Sequence, residues 1–193
     1  AQLLNGDYTN GWENYEKRVD PNGGHLCTGI NPQCTPFNAD TISRDGKLLI
    51  ISEQGLGDTL QFIRFIDDLI KQGIQCTVCA PSKLRGLLKE SRIDASLITI
   101  EEAKKVKTGQ WISLMSVPKY LKVKPEGENK KRPYLKTSDS LTTKWTEKLA
   151  TLTGSKPLIG VNWCGNRGDK GKRGRDIPIK SLMSLLSRQD ARF

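Results

Sequence analysis

The chain has 193 residues, a formal net charge of +10 and 36% hydrophobic residues, a composition typical of a folded soluble domain and not of a disordered or membrane-spanning protein. No apolar stretch approaches the roughly 20 residues of a membrane helix. The N-terminus has neither a basic signal segment nor an initiator methionine, so we expect part of a longer protein. The five cysteines are an odd number in a chain too long to depend on disulfides, which predicts a reducing, cytoplasmic location.

The positive charge lies in the second half of the chain. Residues 97–193 hold 21 lysines and arginines against 9 acidic residues, whereas residues 1–96 hold 10 basic residues against 12 acidic ones. This asymmetry fits an anionic partner such as nucleic acid, an acidic membrane surface or a phosphorylated ligand, and it also fits solvated loops. Nucleic acid is disfavoured, because aromatic residues do not alternate with the basic runs and base stacking is poorly provided for.

The N-terminal segment has helical spacing, with Trp12, Tyr15 and Val19 on one face. Residues 1–21 resemble the close of a tetratricopeptide repeat: the end of one helix, a Gly-Asp-Tyr turn, a second helix and an Asp-Pro pair. The alternative is a single amphipathic helix without repeats. Residues 22–46 are rich in Gly, Pro, Asn and Asp and predict a linker.

Residues 47–137 predict a Rossmann-like domain in which strands and helices alternate. The apolar run at 47–53 predicts a strand that is buried on both faces. A helix beginning at Asp58 and ending at Gly73 has an inner stripe of Leu60, Ile63, Ile66 and Ile70. A second helix is expected at 82–90, and further strands are expected at 74–80, 96–100 and within 111–121. This order predicts an α/β fold with a parallel sheet covered by helices on both faces.

The C-terminal part predicts a second domain of the same kind. Residues 138–156 form a connecting helix that ends at Gly154, and residues 157–193 repeat the design of residues 47–57: an apolar strand, a small-residue turn and then a helix. An α/β domain needs on the order of 100 residues, so we expect only the start of a second Rossmann-like domain here.

The pair Cys76 and Cys79 has the CxxC spacing of some zinc sites. It lies within an expected strand, where the two side chains point to opposite faces, and no second pair of ligands is evident. We therefore expect buried structural thiols and no metal site.

The turn after the first long strand contains Gly55 and Gly57, the beginning of a dinucleotide-binding fingerprint. Leu60 occupies the place of the third glycine, and no acidic residue closes the next strand, so a nicotinamide or flavin cofactor is disfavoured. A P-loop is excluded because no Gly-Lys-Ser/Thr follows.

Asp58 stands in the first turn of the following helix, where an open α/β sheet places its ligands. It suits two roles, a helix-capping anion or a general base that the helix dipole keeps ionised. Gln61 and Arg64 follow at one-turn intervals on the same face, so three polar groups line up above the expected crevice.

The segments LLIISEQGLGDTLQFIRFI, LMSVP, RPYL and IGVNWCGNRGDKGKRGRDIPI resemble the glycosyltransferase-type domain that follows tetratricopeptide repeats in many bacterial proteins. That domain is similar to the family-9 heptosyltransferases and, more remotely, to the O-linked N-acetylglucosamine transferases. The resemblance implies the B-type glycosyltransferase fold, in which two Rossmann-like domains face each other. The first domain binds the acceptor and the second mainly binds the nucleotide-sugar donor.

The same resemblance implies roles for particular residues. Asp58 matches the family's catalytic base, and the substrate-binding positions are Gly55, Gly57, Gln61, Arg64 and Ser116. A helix cap explains Ser116 equally well. The turn from Cys164 to Asp176 matches the loop that contacts the donor's phosphates, for which the candidates are Asn166, Arg167, Lys170, Arg173 and Arg175. This loop departs from the family's usual Asn-Pro and Arg-Ser pattern.

The leading hypothesis is a nucleotide-sugar-dependent glycosyltransferase domain that uses the donor as a co-substrate and needs neither a metal nor another cofactor. Tetratricopeptide repeats upstream would recruit a protein or glycan acceptor. The alternative is a non-catalytic binding scaffold of the same fold. Because much of the donor site would lie after Phe193, the chain alone is expected to be weakly active or inactive.

Overall fold

The computed structural model describes residues 1–18, 30–42, 46–124, 133–154, 156–164 and 176–193. These residues form two compact units, residues 1–137 and residues 138–193. The Rossmann-like sheet lies entirely in the first unit.

The first unit contains a five-stranded sheet whose strands are all parallel. The strand order is β1-β5-β2-β3-β4, and the strands are β1 (Thr35–Pro36), β2 (Lys47–Ile51), β3 (Gln75–Cys79), β4 (Ser96–Ile98) and β5 (Gln110–Ser113). The predicted parallel α/β architecture is therefore confirmed. Strand β1 was not predicted and lies within the predicted linker. It has only two residues, one of them a proline, and so short a segment shows no strand pattern.

Six helices accompany the sheet within the described part of the first unit: α1 (Tyr8–Tyr15), α2 (Leu56–Phe62), α3 (Ile66–Lys71), α4 (Ser82–Glu90), α5 (Ile100–Ala103) and α6 (Val117–Tyr120). Short 3₁₀ turns follow or precede them at Leu3–Asn5, Glu16–Arg18, Ile63–Phe65 and Leu114–Ser116.

The 3₁₀ turn at Ile63–Phe65 divides the single helix that was predicted after the first long strand. Ile63 and Ile66 are buried as expected, and Leu69 is buried as well. Leu60 and Ile70 are partly buried and pack against the same core cluster, so the predicted inner stripe is confirmed.

Strand β2 is buried on both faces, as its continuous apolar sequence predicted. Leu48 and Ile50 belong to one core cluster, and Leu49 and Ile51 belong to the cluster on the opposite face. Cys76 and Cys79 also divide between these two clusters, which agrees with the prediction that they point to opposite faces.

The N-terminal residues pack onto this domain. The side chain of Leu3 lies so close to Gly11 that a Cβ added there would be 2.6 Å from Leu3 Cδ2. Trp12 stacks edge-on against Phe62, with ring centroids 6.5 Å apart, and its Nε1 donates a hydrogen bond to the carbonyl oxygen of Val123 at 2.8 Å. Trp12 and Tyr15 face inward as predicted, whereas Val19 lies outside the described residues.

The second unit contains α7 (Asp139–Thr153) and α8 (Ile179–Leu186). The apolar run that was expected to open a second sheet forms only one parallel bridge pair, Leu158 with Arg192, among the described residues of this unit. None of the helices that the structure describes is both long and apolar enough to cross a membrane.

Candidate functional site

A cavity of about 920 Å³ opens at the carboxyl ends of the sheet strands in the first unit. The chain proceeds from β2 to β3 and β4 on one side and returns as β5 on the other side of β2. Strands β2 and β5 therefore meet at the point where the strand order reverses, which is the place where open α/β sheets bind ligands. Glu53 and Ser113, which lie at the carboxyl ends of β2 and β5, both line the cavity, and we call it the switch-point cavity.

Three further segments complete its walls. Helix α1 contributes Trp12 and Glu13, and the residues after β1 contribute Phe37 and Asn38. The segment around α6 contributes five cavity-lining polar residues, which are Ser116, Lys119, Tyr120, Lys122 and Lys124. The cavity is therefore shared between the sheet edge and the N-terminal helical segment.

Arg18 is the centre of a partly buried polar cluster in this cavity. Its Nη2 and Nε donate hydrogen bonds to Glu53 Oε1 at 2.7 and 3.1 Å. Nη2 also donates to Ser116 Oγ at 2.7 Å, and Nη1 donates to Glu16 Oε1 at 2.7 Å. Ser113 Oγ donates to the same oxygen of Glu53. The cluster thus ties the N-terminal helical segment to the ends of two strands.

The charge on Arg18 is stabilised by its partners. Burial by itself lowers the pKa of Arg18, but the hydrogen bonds to Glu53 and Glu16 outweigh it and raise that pKa above its ordinary value. The guanidinium lies 4.6 Å from the centroid of the Tyr15 ring. Burial raises the pKa of the Tyr15 phenol, against the opposing effect of Arg18, so the ring stays neutral beneath the cation.

Asp58 occupies the third position of α2, and its side chain caps the start of the helix at Gly55. Its Oδ2 accepts a hydrogen bond from the Gly55 backbone N–H at 2.9 Å, which satisfies one of the unpaired donors at the helix start. Asp58 is partly buried and is not among the residues that line the switch-point cavity. The structure therefore shows it in the capping role that the sequence also suggested.

The other residues predicted near Asp58 also lie outside the lining of the cavity. Gly55 caps α2, and a Cβ added at Gly57 meets no atom within 4 Å. Gln61 is exposed. Arg64 donates a hydrogen bond to the Tyr134 hydroxyl at 2.9 Å and lies over its ring at 4.3 Å, so it secures the segment that contains Tyr134.

Ser116 is the only one of the substrate-binding candidates that lines the cavity. It precedes α6, but its side chain makes no capping hydrogen bond and instead accepts one from Arg18. The alternative interpretation of Ser116 as a helix cap was therefore wrong. The donor-phosphate candidates Asn166, Arg167, Lys170, Arg173 and Arg175 lie outside the described residues.

The sequence interpretation missed Arg18 and Glu53 as site residues. For Glu53 a signal was present, because a carboxylate directly follows an apolar run that is buried on both faces. Arg18 had no such signal, since its partner lies 35 residues away in the chain. Comparisons of the chain with protein-family models, curated proteins and solved structures found no match.

Proposed function

We propose that residues 1–137 are the acceptor-side domain of a nucleotide-sugar-dependent glycosyltransferase of the B-type fold. The observation that carries this proposal is the switch-point cavity at the carboxyl ends of β2 and β5, which Glu53 and Ser113 line. A cavity of this size accommodates a small organic ligand. On this proposal the N-terminal segment is the last part of a tetratricopeptide repeat array.

Asp58 is the proposed general base. Sugar transfer by direct displacement needs a group that removes the proton of the acceptor hydroxyl. The Gly55 N–H holds Asp58 Oδ2 in place, while Oδ1 has no hydrogen-bond partner among the described residues. A carboxylate can therefore cap the helix with one oxygen and present the other to a substrate.

The donor side of the proposal rests on the sequence. Departure of a nucleoside diphosphate needs cations or helix dipoles close to its phosphates. The Gly-rich basic loop between Cys164 and Asp176 supplies several cations ahead of a helix. Its residues remain predicted phosphate contacts.

A second function, a non-catalytic ligand-binding scaffold, is favoured by one observation. Both carboxylates at the end of β2 have structural partners, because Glu53 is paired with Arg18 and Asp58 caps α2. In this case the cavity binds a ligand without turnover.

Donor hydrolysis and donor binding, measured on the polypeptide as its gene encodes it, distinguish the two functions. The test variant is Asp58→Asn, which retains an oxygen to accept the Gly55 hydrogen bond. The control is Asp67→Asn, because Asp67 is an exposed acid in the first turn of α3.

We expect Asp58→Asn to lower the turnover of nucleotide sugars at least 100-fold without a change in donor affinity, since a general base typically contributes about 10² to 10⁴. Asp67→Asn should leave the turnover unchanged. Equal turnover by wild type and Asp58→Asn would show that Asp58 is not the base. Binding of the donor without turnover by the wild type would favour the non-catalytic scaffold.

A further inference from the structure

We propose that the switch-point cavity binds a saccharide that carries one anionic group, either a phosphate or a carboxylate, and that helix α1 is part of this site. The inference deepens the proposed function and rests on it in one respect, because it names this saccharide as the acceptor. It also assigns the N-terminal helical segment a direct contact with the ligand.

The first argument comes from the charges that line the cavity. The lining acids Glu16 and Glu53 both pair with Arg18, and Glu13 pairs with Lys119 at 2.8 Å. Lys122 and Lys124 also line the cavity, are exposed and form no ion pair with any residue that the structure describes. An anionic group on the ligand would supply the missing partner at this end of the cavity.

Lys122 follows the end of α6 and places its side chain at the cavity. Lys122 has a φ of 50°, in the left-handed region that favours glycine, and its N–H donates to the Lys119 carbonyl oxygen at 3.1 Å as α6 ends. A residue with a side chain is strained there by roughly 1 kcal/mol relative to glycine. Arg92 has the same conformation at the end of α4, outside the cavity lining, so this conformation belongs to the end of a helix.

The second argument comes from the neutral lining groups. Phe37 and Tyr120 form an edge-on pair with centroids 4.8 Å apart, and both line the cavity with Trp12. Aromatic rings pack against the C–H faces of pyranose rings. Asn38 also lines the cavity; its Oδ1 accepts a hydrogen bond from the Asp40 N–H at 2.9 Å, and its Nδ2 donor suits a hydroxyl group of a sugar.

An extended peptide is a poorer fit for this site. The sheet edge beside the cavity is β1, which has two residues, one of them Pro36. The Phe37 N–H already donates to the Trp111 carbonyl oxygen at 2.8 Å, and the Asn38 N–H donates to Gln110 Oε1 at 2.7 Å. This short edge offers no row of backbone groups for strand addition.

The test is a binding titration in the absence of a nucleotide-sugar donor. Binding is measured at constant ionic strength by NMR amide shifts or by calorimetry. The probes are glucose 6-phosphate, glucuronic acid, glucose and inorganic phosphate. We expect one of the two anionic sugars to bind at least tenfold more tightly than glucose and than phosphate, and the comparison of the two identifies the anionic group.

Three sets of variants locate the site. The double variant Lys122→Gln with Lys124→Gln should weaken binding of the anionic sugar at least tenfold. Glu13→Gln on α1 releases Lys119 and removes a negative charge, so it should strengthen binding two- to threefold. Lys71→Gln and Lys83→Gln are the controls, since both lysines are exposed and lie outside the cavity lining.

The inference is wrong if neither anionic sugar binds at concentrations below 10 mM. It is also wrong if inorganic phosphate binds as tightly as the anionic sugars, because the site would then recognise only an anion. If Glu13→Gln leaves the affinity for the anionic sugar unchanged, α1 is not part of the site. Failure to bind leaves sugar transfer at another acceptor site intact. Binding without transfer, when a donor is supplied, contradicts the acceptor role of this saccharide and leaves the binding site itself standing.

Discussion

Arg18 Nη2 lies 2.7 Å from Glu53 Oε1, and the two side chains are only 14% and 8% exposed. This pair links the residue that ends the N-terminal helical segment to the carboxyl end of β2, across 35 residues of sequence. Residues 1–18 are therefore anchored to the Rossmann-like domain by charge as well as by the packing of Trp12 on Phe62.

Loss of either partner should destabilise the chain. Arg18→Gln should lower the free energy of unfolding by about 3 kcal/mol, because it leaves the buried Glu53 carboxylate without its cation. Glu53→Gln should lower it by about 1 to 2 kcal/mol, because Arg18 keeps its ion pair with Glu16. The double variant should lose about 2 kcal/mol less than the sum of the single variants. Urea unfolding monitored by tryptophan fluorescence measures all four free energies.

The surface pair of Lys71 and Asp68 serves as the control, since Lys71 is 70% exposed. Lys71→Gln should change the free energy of unfolding by less than about 0.5 kcal/mol. Single-variant losses below about 1 kcal/mol at Arg18 and Glu53 would show that the buried pair does not anchor the segment.

Two glycines should respond in opposite ways to replacement by alanine. Gly109 has a φ of +83°, and a Cβ there would lie 2.8 Å from the Cβ of Lys47, so Gly109→Ala should cost roughly 3 kcal/mol. Gly57→Ala meets no neighbouring atom and should leave stability unchanged or raise it by up to about 1 kcal/mol. Thermal unfolding compares the two variants.

Because Gly57→Ala keeps the fold, it also tests the predicted substrate contact at Gly57. A Cβ there should weaken binding of a ligand whose atoms approach the backbone closely. Unchanged ligand affinity in this variant would contradict that contact.

The buried thiol of Cys76 should make stability depend on pH above 9. Burial raises the pKa of Cys76 from 9.0 to about 12. Between these values the unfolded chain loses the thiol proton while the folded chain retains it, so the contribution is complete below pH 9 and is lost as the pH rises toward 12. Wild type should therefore lose about 1 kcal/mol per pH unit more than Cys76→Ala over this range.

Labelling with iodoacetamide at pH 8 gives an independent check on the same thiol. Cys76 is buried and Cys164 is only partly buried, so Cys164 should be modified first and Cys76 only after unfolding. Equal labelling rates in the folded protein would contradict the buried environment of Cys76.

Tyr134 should contribute to stability through its hydroxyl group. The hydroxyl accepts a hydrogen bond from Arg64 and donates one to the Leu60 carbonyl oxygen at 2.8 Å, so Tyr134→Phe should cost about 1 to 2 kcal/mol. Tyr120→Phe is the matched control, because its exposed hydrogen bond to Gln72 should contribute less than about 0.5 kcal/mol. Chemical denaturation measures both, and equal losses would contradict the structural role of Tyr134.

Several parts of the fold could be predicted because the burial of a segment determines the pattern of apolar residues in its local sequence. Strand β2 is a continuous apolar run, since a central parallel strand is covered on both faces. Helix α4 spans Ser82–Glu90, the range that its spacing predicted. Strand β1 could not be predicted in this way, because two residues carry no periodicity and their pairing with β5 depends on the rest of the sheet.

The candidate site was only partly visible in the sequence. The Gly-rich turn and the carboxylate of Asp58 could be located, but a helix-start carboxylate suits both capping and catalysis, and the structure shows the capping bond to Gly55. The pairing of Arg18 with Glu53 and the cavity that they line arise only when α1 packs against the strand ends. Local sequence determines which segments bury apolar surface, whereas contacts between residues far apart in the chain are decided by how those segments pack together.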